Sequence, residues 1–273
     1  MKRSESSAAD LSAAIVAKAL ACGADLAGIA AVADLKGSPS HRISERLPEF
    51  GGVGTLAEHD ARPGVVRWPE GARSAVVLAL EHPEDRPQLD WWFDGEASGD
   101  TPGNTLLIAA VTQLADWLEA EHGVRCFRIP YHVERGGLYM KDAAVLAGLG
   151  CIGRNNLLLT PQYGPRQRLR VLLTDAELPS TGGPAYDPCA GCPAPCRATC
   201  PQDAFPGAVY RPEEYGIAEL PGRDGAFDRR ICNRQMTIDL DASALVTVDG
   251  HDEPVPRTEY CRACELDCIA GER

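Results

Sequence analysis

The sequence predicts a mixed α/β (α+β) core over residues 1–178 and a smaller cysteine-rich module over residues 179–273. Three observations carry this reading. Apolar runs of strand type alternate with segments of helical spacing up to about residue 178. Beyond that point the composition turns to Pro, Gly and Cys. Eight of the eleven cysteines stand in this last third.

The elements follow in order. Ser7 is a helix cap, and the spacing predicts a helix over residues 8–22 that Gly23 ends. A short apolar strand follows over residues 25–32. Residues 36–72, rich in Gly, Pro and charge, read mostly as loop. Residues 74–80 (SAVVLAL) form a strand of the fully buried type. Residues 83–103 read as a loop in which Trp91 and Trp92 either cover a pocket or interface or simply cover core. Leu107, Val111, Leu114 and Leu118 recur at helical spacing and predict a helix over residues 104–122, closed by Gly123. Further elements are a strand over 124–129, an alanine-rich helix over 138–149 and strands over 156–160 and 169–174. A helix over 224–237 carries Cys232.

The cysteines form two tight runs. The first is Cys189-x2-Cys192-x3-Cys196-x3-Cys200-Pro201, the second Cys261-x2-Cys264-x3-Cys268, and Cys232 stands between them. A bacterial ferredoxin run reads C-x2-C-x2-C-x3-C-P, and its fourth cysteine serves the other cluster. Here the third cysteine comes one residue later, and the Cys-Pro tail is kept. Eight thiolates fill two [4Fe–4S] clusters. The pattern assigns Cys189, Cys192, Cys196 and Cys268 to one cluster and Cys200, Cys232, Cys261 and Cys264 to the other. Structural zinc also uses paired cysteines, but without this tail. Disulfides need an oxidising compartment. Cys22, Cys126 and Cys151 read as ordinary buried cysteines.

Composition narrows the partners. Hydrophobic residues make up 44% and charged residues 24%, near globular averages. The formal net charge of -12 argues against a nucleic-acid partner, which needs clustered Lys and Arg. Arg166, Arg168 and Arg170 would share one strand face, by default a solvated one. No run approaches the roughly 20 apolar residues that cross a bilayer. Residues 7–22 read as an amphipathic helix rather than an export signal, so the expectation is a cytoplasmic protein with no membrane partner.

Gly148-Leu149-Gly150-Cys151-Ile152-Gly153 fits G-x-G-x-x-G, yet a helix precedes the glycines where a dinucleotide fold places a strand. The glycines therefore read as a helix end that lets the backbone pass close to something.

The wider segment over residues 141–158, followed by Tyr163-Gly164-Pro165, Leu172-Leu173-Thr174-Asp175 and the cysteine runs, closely resembles the epoxyqueuosine reductase family and its short relatives. Phe227-Asp228-Arg229-Arg230-Ile231-Cys232 is similar to the family's lone-cysteine helix. The resemblance covers residues 130–270 well and the first third loosely. It implies a nitroreductase-like cobalamin-binding core, shared with reductive dehalogenases, followed by a ferredoxin-like double [4Fe–4S] module. It further implies two [4Fe–4S] clusters and a cobalamin as cofactors, with Gly148, Gly150, Gly153 and Asn155 near the corrin. By count from the glycine segment, the family's catalytic carboxylate falls on Glu134, where the flanking D-x-x-P pattern is absent. Tyr139 is a second proton-donor candidate and His132 a weaker one. Position 151, usually aromatic in the family, is Cys.

The implied activity is reduction of a small molecule, with electrons from an external donor such as ferredoxin or flavodoxin. The sequence lacks the helical-repeat extension that queuosine enzymes direct at tRNA, which argues against a tRNA substrate. The alternative is a ferredoxin-like protein that reductively activates a corrinoid protein without substrate chemistry of its own. A third reading is a cluster-bearing structural protein that has lost cobalamin.

Overall fold

The computed structural model describes residues 7–46, 66–93, 101–133, 136–183, 185–220, 223–248 and 252–271. Helix α1 (Ala8–Ala21) opens with a capping box. The Ser7 hydroxyl accepts from the Asp10 N–H at 3.1 Å, and the Asp10 carboxylate accepts from the Ser7 N–H at 3.1 Å. Strand β1 (Leu26–Ala31) follows, then short helices α2 (Val32–Lys36) and α3 (Pro39–Ile43). These correct the expectation of loop over residues 36–72, of which 47–65 lie outside the described residues. Helix α3 borrows its cap from afar: Asp142 accepts the Ser40 N–H at 2.9 Å.

Strand β2 (Ser74–Glu81) is the centre of the main sheet. A 3-10 turn (Pro87–Asp90) leads into β3 (Trp92–Phe93). Helix α4 (Pro102–Trp117), capped by Thr101, runs on through a π-helical turn (Leu118–His122) to a left-handed Gly123. Then come β4 (Cys126–Arg128), α5 (Met140–Leu146), the hairpin β5 (Cys151–Ile152) and β6 (Leu158–Leu159), and β7 (Gln167–Thr174). The strand expected over 156–160 is thus the short second arm of a hairpin.

The main sheet runs β1-β2-β7-β4, and each pairing in it is antiparallel. It is covered on both faces. Val76, Leu78 and Leu172 pack with Ile15, Leu107 and Leu114 of α1 and α4. Ala75, Val77 and Ala79 pack with Leu138, Ala143 and Ala144 on the α5 side. A strand without a wet face has no reason to alternate, which accounts for the unbroken run SAVVLAL. Each Val, Leu or Ile buried here contributes about 1.5–3 kcal/mol.

The cysteine-rich part holds α6 (Pro195–Ala198), α7 (Pro212–Tyr215), α8 (Arg229–Asp241), β8 (Ala244–Val246), β9 (Val255–Thr258) and α9 (Ala263–Leu266). The helix expected over 224–237 starts later, because the Asp228 side chain accepts from the N–H groups of Arg230 and Ile231 at 2.8 and 3.2 Å. A second sheet runs β3-β9-β8. Trp91 and Trp92 belong to this join: Trp92 pairs with Thr258, and the Arg257 guanidinium lies 4.2 Å from the centre of the Trp91 ring.

Gly148 has φ +76°, and a Cβ there would stand 1.9 Å from the Gly182 carbonyl oxygen. Gly148→Ala is expected to cost more than about 2 kcal/mol, as strain at a left-handed position adds to a backbone clash. Urea unfolding checks this, and an unchanged midpoint contradicts it.

Candidate metal centre

The eight cysteines of the two runs and of α8 lie close together, and Cys264 packs against Cys189, Cys196 and Cys268. Cys189, Cys192, Cys196 and Cys268 line one pocket, beside Arg154 and Asn155. Cys196 sits on α6 and Cys268 just beyond α9, and these helices pack together, which carries the end of the chain back to the first run. Cys200, Cys232, Cys261 and Cys264 form the other neighbourhood. Burial, then the charges of Cys232, Cys261 and other neighbours, push the Cys264 thiol up to about 12. Burial raises Cys232 as well, with Cys200 and Cys261 adding to it. In the first set burial pushes Cys196 up to about 11, with Cys268, Cys189 and Cys192 contributing.

Backbone donors point at the sulfurs. The N–H of Arg154 donates to Cys189 Sγ at 3.5 Å, that of Ala194 to Cys192 Sγ at 3.4 Å and that of Ala204 to Cys200 Sγ at 3.3 Å. Such donors favour thiolate. Among the described residues no three His, Cys, Asp or Glu side chains converge on a seat for a single ion. Cys189, Cys192, Cys196 and Cys268 around one pocket are four thiols, the number that a [4Fe–4S] core takes. The donor set fits [4Fe–4S] clusters, with four thiols in each set.

The residues expected near a corrin are engaged elsewhere. A Cβ on Gly148 would meet Gly182, one on Gly150 the Leu159 carbonyl, and one on Gly153 the Leu159 and Asn155 side chains. The close approach these glycines allow is to the chain itself. Asn155 is buried, and its amide donates to the Cys264 carbonyl at 3.1 Å. Its neighbour Arg154 donates to the Cys192 carbonyl at 2.9 Å. One dipeptide thus touches both cysteine sets.

Glu134 lies outside the described residues. Tyr139 is half-buried, and its ring meets His41 edge-on at 5.0 Å. Its N–H donates to His41 Nε2 at 3.2 Å, so the imidazole proton sits on Nδ1, facing Ser38 Oγ at 2.8 Å. Ser38 in turn donates to Asp142 at 2.7 Å. Burial pulls the His41 pKa down to about 4 against the opposing charge of Asp142. His132 is half-buried, its ring edge-on to Tyr131 at 5.1 Å.

Sequence reasoning missed His41, Asp142 and Lys141. Burial draws Lys141 down to about 8, and its ammonium donates to the Asn156 carbonyl. A Lys-Asp pair inside an alanine-rich helix that must pack on a sheet is the signal that points to them. The arginine stripe is also corrected: Arg166 is buried, Arg168 pairs with Asp90 and Glu265, and Arg170 donates to Asn104 at 2.6 Å. Cys22, Cys126 and Cys151 are half-buried rather than buried. Cys151 packs beside the first cysteine set.

No family model matches the chain. An epoxyqueuosine reductase from Synechococcus sp. (strain RCC307) is 30% identical over 215 residues, covering 72% of this chain and 62% of that protein. A tetrachloroethene reductive dehalogenase from Dehalobacter restrictus is 40% identical over 86 residues, 29% of this chain and 15% of that protein. The chain therefore spans less than two thirds of the length of these relatives. Among solved structures, an epoxyqueuosine reductase from Bacillus subtilis superposes with TM-score 0.59 at 19% identity, covering 95% of this chain and 64% of that one. A reductive dehalogenase described as suggesting a mechanism for B12-dependent dehalogenation gives TM-score 0.58 at 17% identity, covering 98% and 33%. Among the described residues, no helix is long and apolar enough to cross a membrane.

His41 yields a pH prediction. In the fold it stays neutral down to about pH 4, whereas the unfolded chain protonates near 6.5. Between these values the unfolded state binds more protons, so stability present above pH 6.5 is lost as the pH falls towards 4. The loss is on the order of 3 kcal/mol. Urea unfolding at stepped pH should show this slope in the native chain and a flatter one in His41→Gln; equal slopes would contradict it.

Proposed function

We propose, on the premise that this chain is a distant homologue of the epoxyqueuosine reductases and reductive dehalogenases and shares their fold, that it is an iron–sulfur oxidoreductase carrying two [4Fe–4S] clusters. The observation that carries the proposal is the gathering of Cys189, Cys192, Cys196 and Cys268 around one pocket, with Cys200, Cys232 and Cys261 grouped about Cys264 beside it. Clusters bound there supply one-electron transfer between an external donor and an acceptor. The chain supplies the thiolates, the N–H donors to Cys189, Cys192 and Cys200, and partial exclusion of water. Hydrogen bonds to cluster sulfur favour the more reduced, more negative state and raise the potential. Cys261 is exposed while Cys189, Cys196 and Cys268 are buried, so the second set is the wetter one. The donor is a ferredoxin- or flavodoxin-type protein, and the reductase domain is residues 1–178 with the cluster module over 179–273.

The acceptor follows from the relatives. One solved structure bears on B12-dependent dehalogenation, which favours cobalamin as the group that reduces a small-molecule substrate here. Glu134 or Tyr139 would provide the proton, and the Tyr139 ring packs edge-on against His41. A second reading has its own support. On the side a Cβ would occupy, Gly148, Gly150 and Gly153 pack against the chain itself, and the Asn155 amide is spent on the Cys264 carbonyl. The chain would then be a ferredoxin-like donor that reductively activates a separate corrinoid protein.

Anaerobically isolated protein titrated with hydroxocobalamin separates the two. A shifted cob(II) spectrum supports the first; no binding, together with reduction of a corrinoid protein's cobalt, supports the second. Under either reading Cys268→Ser and Cys261→Ser should each lose about half of the iron, but different EPR signals. Full iron retention in both variants would refute the cluster assignment.

A further inference from the structure

Four charged side chains close a ring between the main sheet and the second cysteine run. Asp90 pairs with Arg168 Nε at 2.9 Å and with Arg262 Nη1 at 3.0 Å. Glu265 pairs with Arg168 Nη2 at 3.0 Å and also with Arg262. Side-chain exposure is 5% for Glu265, 12% for Arg262, 14% for Asp90 and 27% for Arg168, so water screens the ring poorly. His82, with no exposure, backs it: its Nδ1 lies 2.8 Å from Asp90 Oδ1, and its carbonyl accepts from Arg262. The ring of His82 is pressed against Gly103, where a Cβ would come within 2.2 Å of it.

The position of the ring gives it meaning. Arg262 and Glu265 belong to the turn that presents Cys261 and Cys264. Arg168 comes from β7 and Asp90 from the 3-10 turn before β3. Two positive and two negative charges cancel. Burial works against the Asp90 carboxylate, yet the His82 hydrogen bond and the two arginines hold its pKa below the usual range. Deleting one member leaves its partners' charge unbalanced in a poorly screened place. Beside a cluster that gains an electron, surplus negative charge opposes reduction and surplus positive charge assists it.

We propose that Asp90, Arg168, Arg262 and Glu265 form an electroneutral clamp that positions the cysteine turn at residues 261–264 and sets the reduction potential of the cluster held there. The clamp rests on the reading of two clusters given above. Asp90 and Arg168 act through their ion pairs with the turn, as positioning residues.

Potentiometric EPR titration of the anaerobically isolated protein tests it. The signal of interest is the one lost in Cys261→Ser. Arg168→Met should lower its midpoint potential, Asp90→Asn should raise it, and the double variant should return close to the parent value. A merely structural role predicts no opposition of sign. Shifts in the same direction, or none in either variant, would overturn the clamp. Should Arg168→Met fail to fold, Asp90→Asn decides alone, and a potential that falls or stays put overturns it. Iron and sulfide counted beforehand keep the two ideas apart. Loaded clusters with unmoved potentials sink the clamp only, whereas a parent protein without clusters sinks both.

Discussion

The return of the chain's end to the first cysteine run is the constraint on which the rest depends. Cys268 can join Cys189, Cys192 and Cys196 only if residues 268–271 lie against the main body. The contact is made backbone to backbone. A Cβ on Gly164 would stand 1.9 Å from the Ala270 carbonyl, and one on Gly271 would stand 2.1 Å from the Gly164 nitrogen. Arg166 adds a hydrogen bond to that carbonyl at 3.4 Å. The Tyr163-Gly164-Pro165 turn is thus the anvil on which the last cysteine is seated, and glycine on both sides lets the strands come so close.

The main sheet serves as a rigid mount for this arrangement. Its strand β2 is buried on both faces over most of its length, so it resists deformation. From that mount three devices reach the cysteines. The β5–β6 hairpin presents Arg154 and Asn155 between the two sets. Strand β7 offers Arg168 to the second run. Strand β3 pairs with β9 and ties the small sheet to the first part of the chain. All three join distant segments by polar contacts, in a region whose apolar residues are few.

Much of this was legible in sequence because the signals were local. Cysteine spacing points to two sets, since three close cysteines leave a fourth ligand to come from elsewhere. The helices α1 and α4 were readable from caps and periodicity. The short helices α2 and α3 were not, because the cap of α3 is Asp142, a hundred residues downstream. The partner of Asn155 is hidden from sequence for the same reason: it is the Cys264 carbonyl, which no local pattern reveals. The arginines of β7 looked like a solvated stripe, and only tertiary pairing with Asp90, Asn104 and Glu265 turns them inward. The glycine turn is legible only in part, since missing side chains signal a close approach without saying to what.

Native mass spectrometry of the chain isolated without oxygen weighs what the eight cysteines hold. The expected mass increment is that of two [4Fe–4S] clusters on each chain. A bare chain, or one carrying zinc in place of iron and sulfide, would contradict it.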